Sequence, residues 1–183
     1  MKKLAYTAIE SVKIRPILLK RRQTNMTECF FEEVTTENIR RLNHFLKQQG
    51  EPSANRGDWN YWLKMHGKII AVGRLILIDN HTQKEAWLRG VFVVEAYRKR
   101  GFGHFLMQNI HQSVRQKQKG LTCNNQACSF SIYAFPHMHL EAFYGTIGYQ
   151  HCPPNDLPSA LHAKYLQAQK NTKNWLCMQL KFS

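Results

Sequence analysis

The chain has 183 residues, 43% hydrophobic and 21% charged, which suits one domain with its own core and excludes general disorder. Its 26 Lys and Arg outnumber 12 Asp and Glu, and the formal +14 favours phosphate-bearing partners: nucleic acid, anionic lipid or a phosphorylated small molecule. No apolar run approaches the roughly 20 residues that span a bilayer, and the basic start, interrupted by charges and split by Pro16, does not read as a secretory signal, so no membrane partner and a cytoplasmic location are expected.

Residues 1–25 read as a basic N-terminal extension, with Lys2, Lys3, Lys13, Arg15, Lys20, Arg21 and Arg22 set against Glu10 alone. A tail, a presequence and an upstream extension of the true start all stay open for it. Residues 26–183 read as a single domain. Cys29 to Val34 is a short strand. Thr36 is the expected N-cap of a helix in which Ile39, Leu42, Phe45 and Leu46 repeat at helical spacing, and Gly50 ends it. Glu51 to Asp58 is a polar loop. Trp59, Tyr61, Leu63 and Met65 alternate as a strand does, His66-Gly67 turns the chain, and Lys68 to Ile78 is a β-branched run typical of a buried strand. Asp79-Asn80 turns again, and Ala86 to Val94 completes a three-strand meander.

The hydrophobic period then changes. Phe102, Phe105, Leu106, Ile110 and Val114 mark one face of a helix closed by Gly120. Phe130 to Ala134 is another strand. Leu140, Phe143, Tyr144 and Ile147 form a short helix ended by Gly148. Pro153 to Pro158 is a loop, Leu161 to Lys170 a further helix, and Trp175 to Phe182 a closing strand. The order predicts an α+β domain with a mixed sheet. The five cysteines, Cys29, Cys123, Cys128, Cys152 and Cys177, include no C-x-x-C pair and no zinc-finger spacing, so free thiols and no metal are expected.

One stretch carries chemistry. Val91 to Val94 ends a strand, Arg98, Lys99, Arg100, Gly101, Phe102, Gly103 and His104 make a basic glycine turn, and a helix follows. The first N–H groups of a helix have no intrahelical partner and converge with the positive end of its dipole, which suits an anion. Gly101 and Gly103 have no Cβ, so phosphate oxygens can approach the backbone. The Lys-[Ser/Thr] pair of a Walker loop is missing. The dinucleotide fingerprint fails because residue 106 is Leu.

Arg98-x-x-Gly101-x-Gly103 after a valine-rich strand resembles motif A of the GNAT superfamily of N-acetyltransferases. Leu140-Glu141-Ala142-Phe143-Tyr144-Gly145-Thr146-Ile147-Gly148-Tyr149 resembles its motif B. The likeness covers Cys29 to Tyr149, and His139 to Tyr149 is also similar to the small bacterial ElaA-like branch. The resemblance implies an acyl-CoA N-acyltransferase fold: a mostly antiparallel central sheet, flanked by helices, whose two central strands splay apart. It implies acetyl-coenzyme A as cosubstrate. Backbone groups of Phe92, Val93 and Val94 would hold the pantetheine arm, and the amides from Lys99 to His104 the diphosphate. His137 stands where many relatives carry an asparagine that touches coenzyme A. Val93 N–H would face the oxyanion, and Tyr144 would protonate the leaving thiolate.

Glu85, Asp58 and His139 are the candidate general bases, with ordered water as an alternative. Glu95 replaces a common proline after the strand. Residues 51–58 are too few for the helix that usually covers the acceptor site, so the acceptor pocket is expected to be open or built partly by residues 150–174. The resemblance implies transfer of an acetyl group to a primary amine of a small molecule or peptide. A non-catalytic binder of coenzyme A esters and a basic nucleic-acid-binding protein are the alternatives. Most aromatics sit at core-facing spacing, which counts against the latter. The acceptor's identity and the oligomeric state, a dimer included, stay open.

Overall fold

The computed structural model describes residues 29–79, 84–119, 122–123, 126–127, 129–170 and 174–182. The expectations for residues 1–25, the turn at Asn80 and the helix stop at Gly120 lie outside the described residues.

Strand β1 (Cys29–Glu33) leads to helix α1 (Ile39–Gln48). Thr36 is not the N-cap. Asn38 takes that place with a near-helical backbone and no side-chain capping bond, and its Nδ2 donates to Thr35 Oγ1 at 3.1 Å. Helix α1 therefore starts later than expected, and Ile39, Leu42 and Leu46 face inward. The chain then forms β2 (Trp59–Met65), β3 (Lys68–Asp79) and β4 (Lys84–Val93), with His66 and Gly67 both at positive φ in the turn between the first two.

A 3-10 turn at Glu95–Tyr97 precedes helix α2 (Phe102–Lys119). Strands β5 (Thr122–Cys123) and β6 (Gln126–Ala127) pair only with each other. Strand β7 (Phe130–Ala134) has the bounds expected from the sequence. Helix α3 (Glu141–Thr146), strand β8 (Gln150–His151), helix α4 (Ser159–Lys170) and strand β9 (Met178–Phe182) complete the fold. Trp175 lies outside the last strand and makes an isolated bridge to His137.

The main sheet has seven strands in the order β1-β2-β3-β4-β7-β9-β8. All its neighbours are antiparallel except β4 and β7. One face carries α2 and α3 over Ala71, Leu75, Ala86, Leu88 and Ile132. Gly73 lets α2 approach closely, since a Cβ there would stand 2.7 Å from Ile110 Cδ1. The opposite face carries α1 over Trp62 and Val72, and α4 over Trp87 and Tyr133. Two buried layers on one sheet account for the β-branched, continuously apolar reading of β3.

Candidate active site

Strands β4 and β7 pair only over half of β4. Lys84 to Leu88 run beside Phe130 to Ala134, and there β7 stops while β4 continues to Val93. Beyond Ala134 the chain turns to β9: Leu176 N–H bonds Pro136 O at 2.8 Å, and His137 bridges Trp175. Beyond Leu88, β4 stays with β3, and Val94 N–H bonds Ile70 O at 2.9 Å. The two strands thus part, each held by its outer neighbour, and a split opens between them.

A bulge sets which backbone groups of β4 face the split. Val72 opposes Phe92 but Arg74 opposes Arg89, so β4 carries one extra residue, and Gly90 there has φ 63°. A Cβ on Gly90 would lie 2.7 Å from the Arg74 guanidinium, which crosses the bulge and bonds the carbonyls of Pro52 and Ser53. The bulge reverses the side-chain parity. Ala86 and Leu88 face α2 before it, and Val91 and Val93 do so after it. Antiparallel alternation then places Val93 N–H and C=O on the split side, because the next residue bonds to β3. Arg98 Nε takes up the Val93 carbonyl at 2.9 Å and leaves the amide facing the split. A glycine inside a strand, as at Gly90, is the sequence signal for such a bulge.

The turn after β4 presents a run of backbone amides. Lys99 has φ 58° and Gly101 φ 87°, two left-handed residues flanking Arg100, so successive amides swing toward one side. The first bond into α2 runs from Phe105 N–H to Gly101 O at 3.0 Å, so Phe102, Gly103 and His104 offer N–H groups without an intrahelical partner. The basic side chains are less free than the sequence implied. Arg98 is bound to Val93 O, and Arg100 donates to Ala96 O at 3.4 Å. The His104 ring bonds Thr146 Oγ1 at 2.8 Å and meets Phe143 edge-on, so its side chain joins α2 to α3 while its amide stays at the helix start.

Helix α3 is fixed to this turn. A Cβ on Gly103 would touch Phe143 at 3.4 Å and the Val93 side chain at 3.9 Å. Tyr144 packs edge-on against Phe143 and Tyr149, each at 5.3 Å, and is 7% exposed. Burial pushes its hydroxyl pKa up to about 12, so it is a protonated donor at neutral pH.

The other sequence candidates are scattered. His137 stacks on His139 and meets Trp175 on the β7 side of the split. His139 lines a shallow surface hollow with Glu141, Tyr149 and His151, where His151 pairs with Glu141 at 2.7 Å. Glu85 lies eight residues before Val93, roughly 25 Å along the strand, too far to touch an amine at Val93. Its carboxylate is buried and accepts a bond from Tyr133 Oη at 3.2 Å. Asp58 ends the loop after α1, among the charges of Arg74 and Arg89, and burial raises its pKa. No helix forms between Gln49 and Asp58, as the short spacing implied.

The sequence matches the model of the Acetyltransferase (GNAT) family over residues 21–131. This chain belongs to the GNAT acetyltransferase family. Its fold is similar to N-acetylglutamate synthase from Neisseria gonorrhoeae complexed with coenzyme A and N-acetyl-glutamate, with TM-score 0.59 and 14% identity over 85% of this chain and 35% of that one. It is similar to ribosomal-protein-S18-alanine N-acetyltransferase from Escherichia coli, with TM-score 0.55 and 14% identity over 85% of this chain and 94% of that one. An IAA acetyltransferase from Bacillus cereus matches with TM-score 0.55 and 12% identity over 84% of this chain and 99% of that one. The chain thus spans about a third of the synthase and nearly all of the other two. No curated protein matches the sequence significantly. The mixed sheet with its parting central strands is the GNAT fold that the two motifs implied. Among the described residues no helix is long and apolar enough to cross a membrane.

Proposed function

We propose that this GNAT acetyltransferase uses acetyl-coenzyme A and transfers the acetyl group to a primary amine of a small molecule or peptide by direct attack. One observation carries the reading: the split beside Val93 ends at a turn whose amides and left-handed residues form an anion cradle. An extended arm with a diphosphate at one end fits that pair of features. The β4 edge past Leu88 lacks a β7 partner, and the α2 N-terminus lacks intrahelical acceptors. In this reading Phe92, Val93 and Val94 line the arm, the amides from Lys99 to His104 hold the diphosphate, and His137 approaches from the opposite wall.

Val93 N–H donates to the thioester oxygen as it gains charge. The neutral amine adds to the carbonyl carbon, the C–S bond breaks, and the sulfur leaves as a thiolate of ordinary pKa about 8.5. Tyr144 Oη donates a hydrogen bond to that sulfur as it gains charge, the added nitrogen sheds its proton to solvent, and a solvent proton completes the free thiol. With its pKa near 12 the tyrosine keeps its proton across the working range, so its part is a hydrogen bond to the departing thiolate, whose conjugate acid is the stronger acid of the two.

The acceptor side has no helix after α1. The loop 49–58 is held instead by Arg74 on Pro52 and Ser53 and by Asn43 on Ala54, whose N–H it accepts at 2.7 Å. That leaves an approach for the amine beside a fixed wall. The test is release of free thiol from acetyl-coenzyme A across amino acids, polyamines, arylalkylamines and peptides. At least one amine class should raise thiol release well above hydrolysis, with an acetylated amine as product. Thiol release independent of every amine would contradict the proposal.

A further inference from the structure

Cys152 and Cys177 lie far apart in the sequence and meet in the fold. Gln150 opposes Gln179 and His151 opposes Met178 in the antiparallel pair of β8 and β9, so Cys152 and Cys177 are the next facing positions. Cys152 N–H bonds Cys177 O at 3.0 Å, which extends the pairing by one rung. Both are free thiols, and Cys152 Sγ donates to Pro153 O at 3.5 Å. Facing residues in an antiparallel pair have Cα atoms about 4.5–5.5 Å apart, inside the range a disulfide spans.

The segment between them is a unit. Residues 153–170 leave the sheet at Cys152 and carry α4 over Trp87 and Tyr133, and the chain is back at the sheet at Cys177. The two thiols stand where both ends of that cover rejoin the sheet. We propose that Cys152 and Cys177 are an oxidisable dithiol that closes to a disulfide with hydrogen peroxide and so staples the ends of the α4 segment together.

The two thiols are unequal. Burial raises both pKa values, the Cys177 thiol to about 12, while contact with Cys177 partly offsets the rise at Cys152. Cys152 is therefore the first to ionise. Its thiolate attacks one peroxide oxygen, the O–O bond breaks, and hydroxide leaves to be protonated, giving a sulfenic acid and water. Cys177 then loses its proton and attacks the Cys152 sulfur. The S–O bond breaks and a second water leaves. In total two thiols and one peroxide give one disulfide and two waters. The thiols are 6% and 5% exposed, so a small oxidant suits them, and deprotonation makes the reaction slow at neutral pH and faster as pH rises.

The test takes the full chain with dilute hydrogen peroxide at pH 7 and pH 9, alkylates remaining thiols, and maps peptides without reduction. The expected product is a crosslinked pair of peptides carrying Cys152 and Cys177, with Cys29, Cys123 and Cys128 alkylated. It should form faster at pH 9 and vanish with dithiothreitol. Closing this loop should raise Tm by roughly 5–10 °C, and C152S and C177S should each lose that rise. Mapping of the unmodified chain stands even if those variants fold poorly. Alkylation of both thiols after oxidation, sulfinic acid at Cys152 beside a free Cys177, or crosslinks to other cysteines would overturn the proposal.

Discussion

Tyr144 shows how burial decides what a single side chain can do. Its ring is enclosed by Phe143 and Tyr149, and the loss of water pushes its pKa to about 12. The protonated form therefore dominates below that pH, and the wild-type rate should not fall between pH 7 and pH 10. Tyr144→Phe keeps the ring and removes the proton. It should lower kcat about a hundredfold and leave KM for acetyl-coenzyme A nearly unchanged. Steady-state kinetics across that pH range separate the outcomes, and an unaltered kcat at every pH removes the tyrosine from the chemistry. The role proposed for the hydroxyl comes only from the aromatic pair Phe143-Tyr144 of motif B. The spacing by itself says only that Tyr144 faces the core, which it also does.

At the scale of elements, β4 and the turn after it do the positioning. The turn needs Gly101 to keep φ near 87°, a conformation that costs other residues about 1–3 kcal/mol. Gly101→Val should lower Tm and raise KM for acetyl-coenzyme A at least about tenfold, because the amides from Phe102 to His104 lose their common direction. A variant with lowered Tm but unchanged KM would place the diphosphate elsewhere. The strand–turn–helix order around this glycine was plain in the sequence, since the apolar period switches from two to 3.6 between Val94 and Phe102. The parting of β4 from β7 was not visible in the same way. It came only with the family resemblance, because it depends on Pro136 and His137 finding Leu176 and Trp175 some 40 residues later. Helix α1 starts two residues later than Thr36 implied, with Asn38 at the N-cap making no side-chain cap. Strand β8 escaped notice because two residues carry no period.

Across the whole molecule, the core imposes a pH dependence on folding. His111 is 8% exposed between Tyr149 and Phe182, and burial, helped by the charge of Arg115, lowers its pKa to about 4. An unfolded chain would hold that proton up to about pH 6.5. Between the two values the unfolded state binds the proton and the folded state does not. This contribution to stability is fully present above pH 6.5 and is lost as pH falls toward 4, by about 3 kcal/mol. Urea unfolding at a series of pH values should show that slope, and His111→Phe should flatten it. An equal slope in both proteins would assign acid sensitivity to other groups.

The positive charge of the whole chain suits a diphosphate as well as nucleic acid, and only a bound ligand separates them. A crystal structure with acetyl-coenzyme A tests the central claim most directly. The account predicts diphosphate oxygens on the amides of Phe102, Gly103 and His104, the arm along the free edge of β4, and the thioester oxygen on Val93 N–H. A ligand bound away from the split, with Val93 N–H bonded to protein, would contradict it.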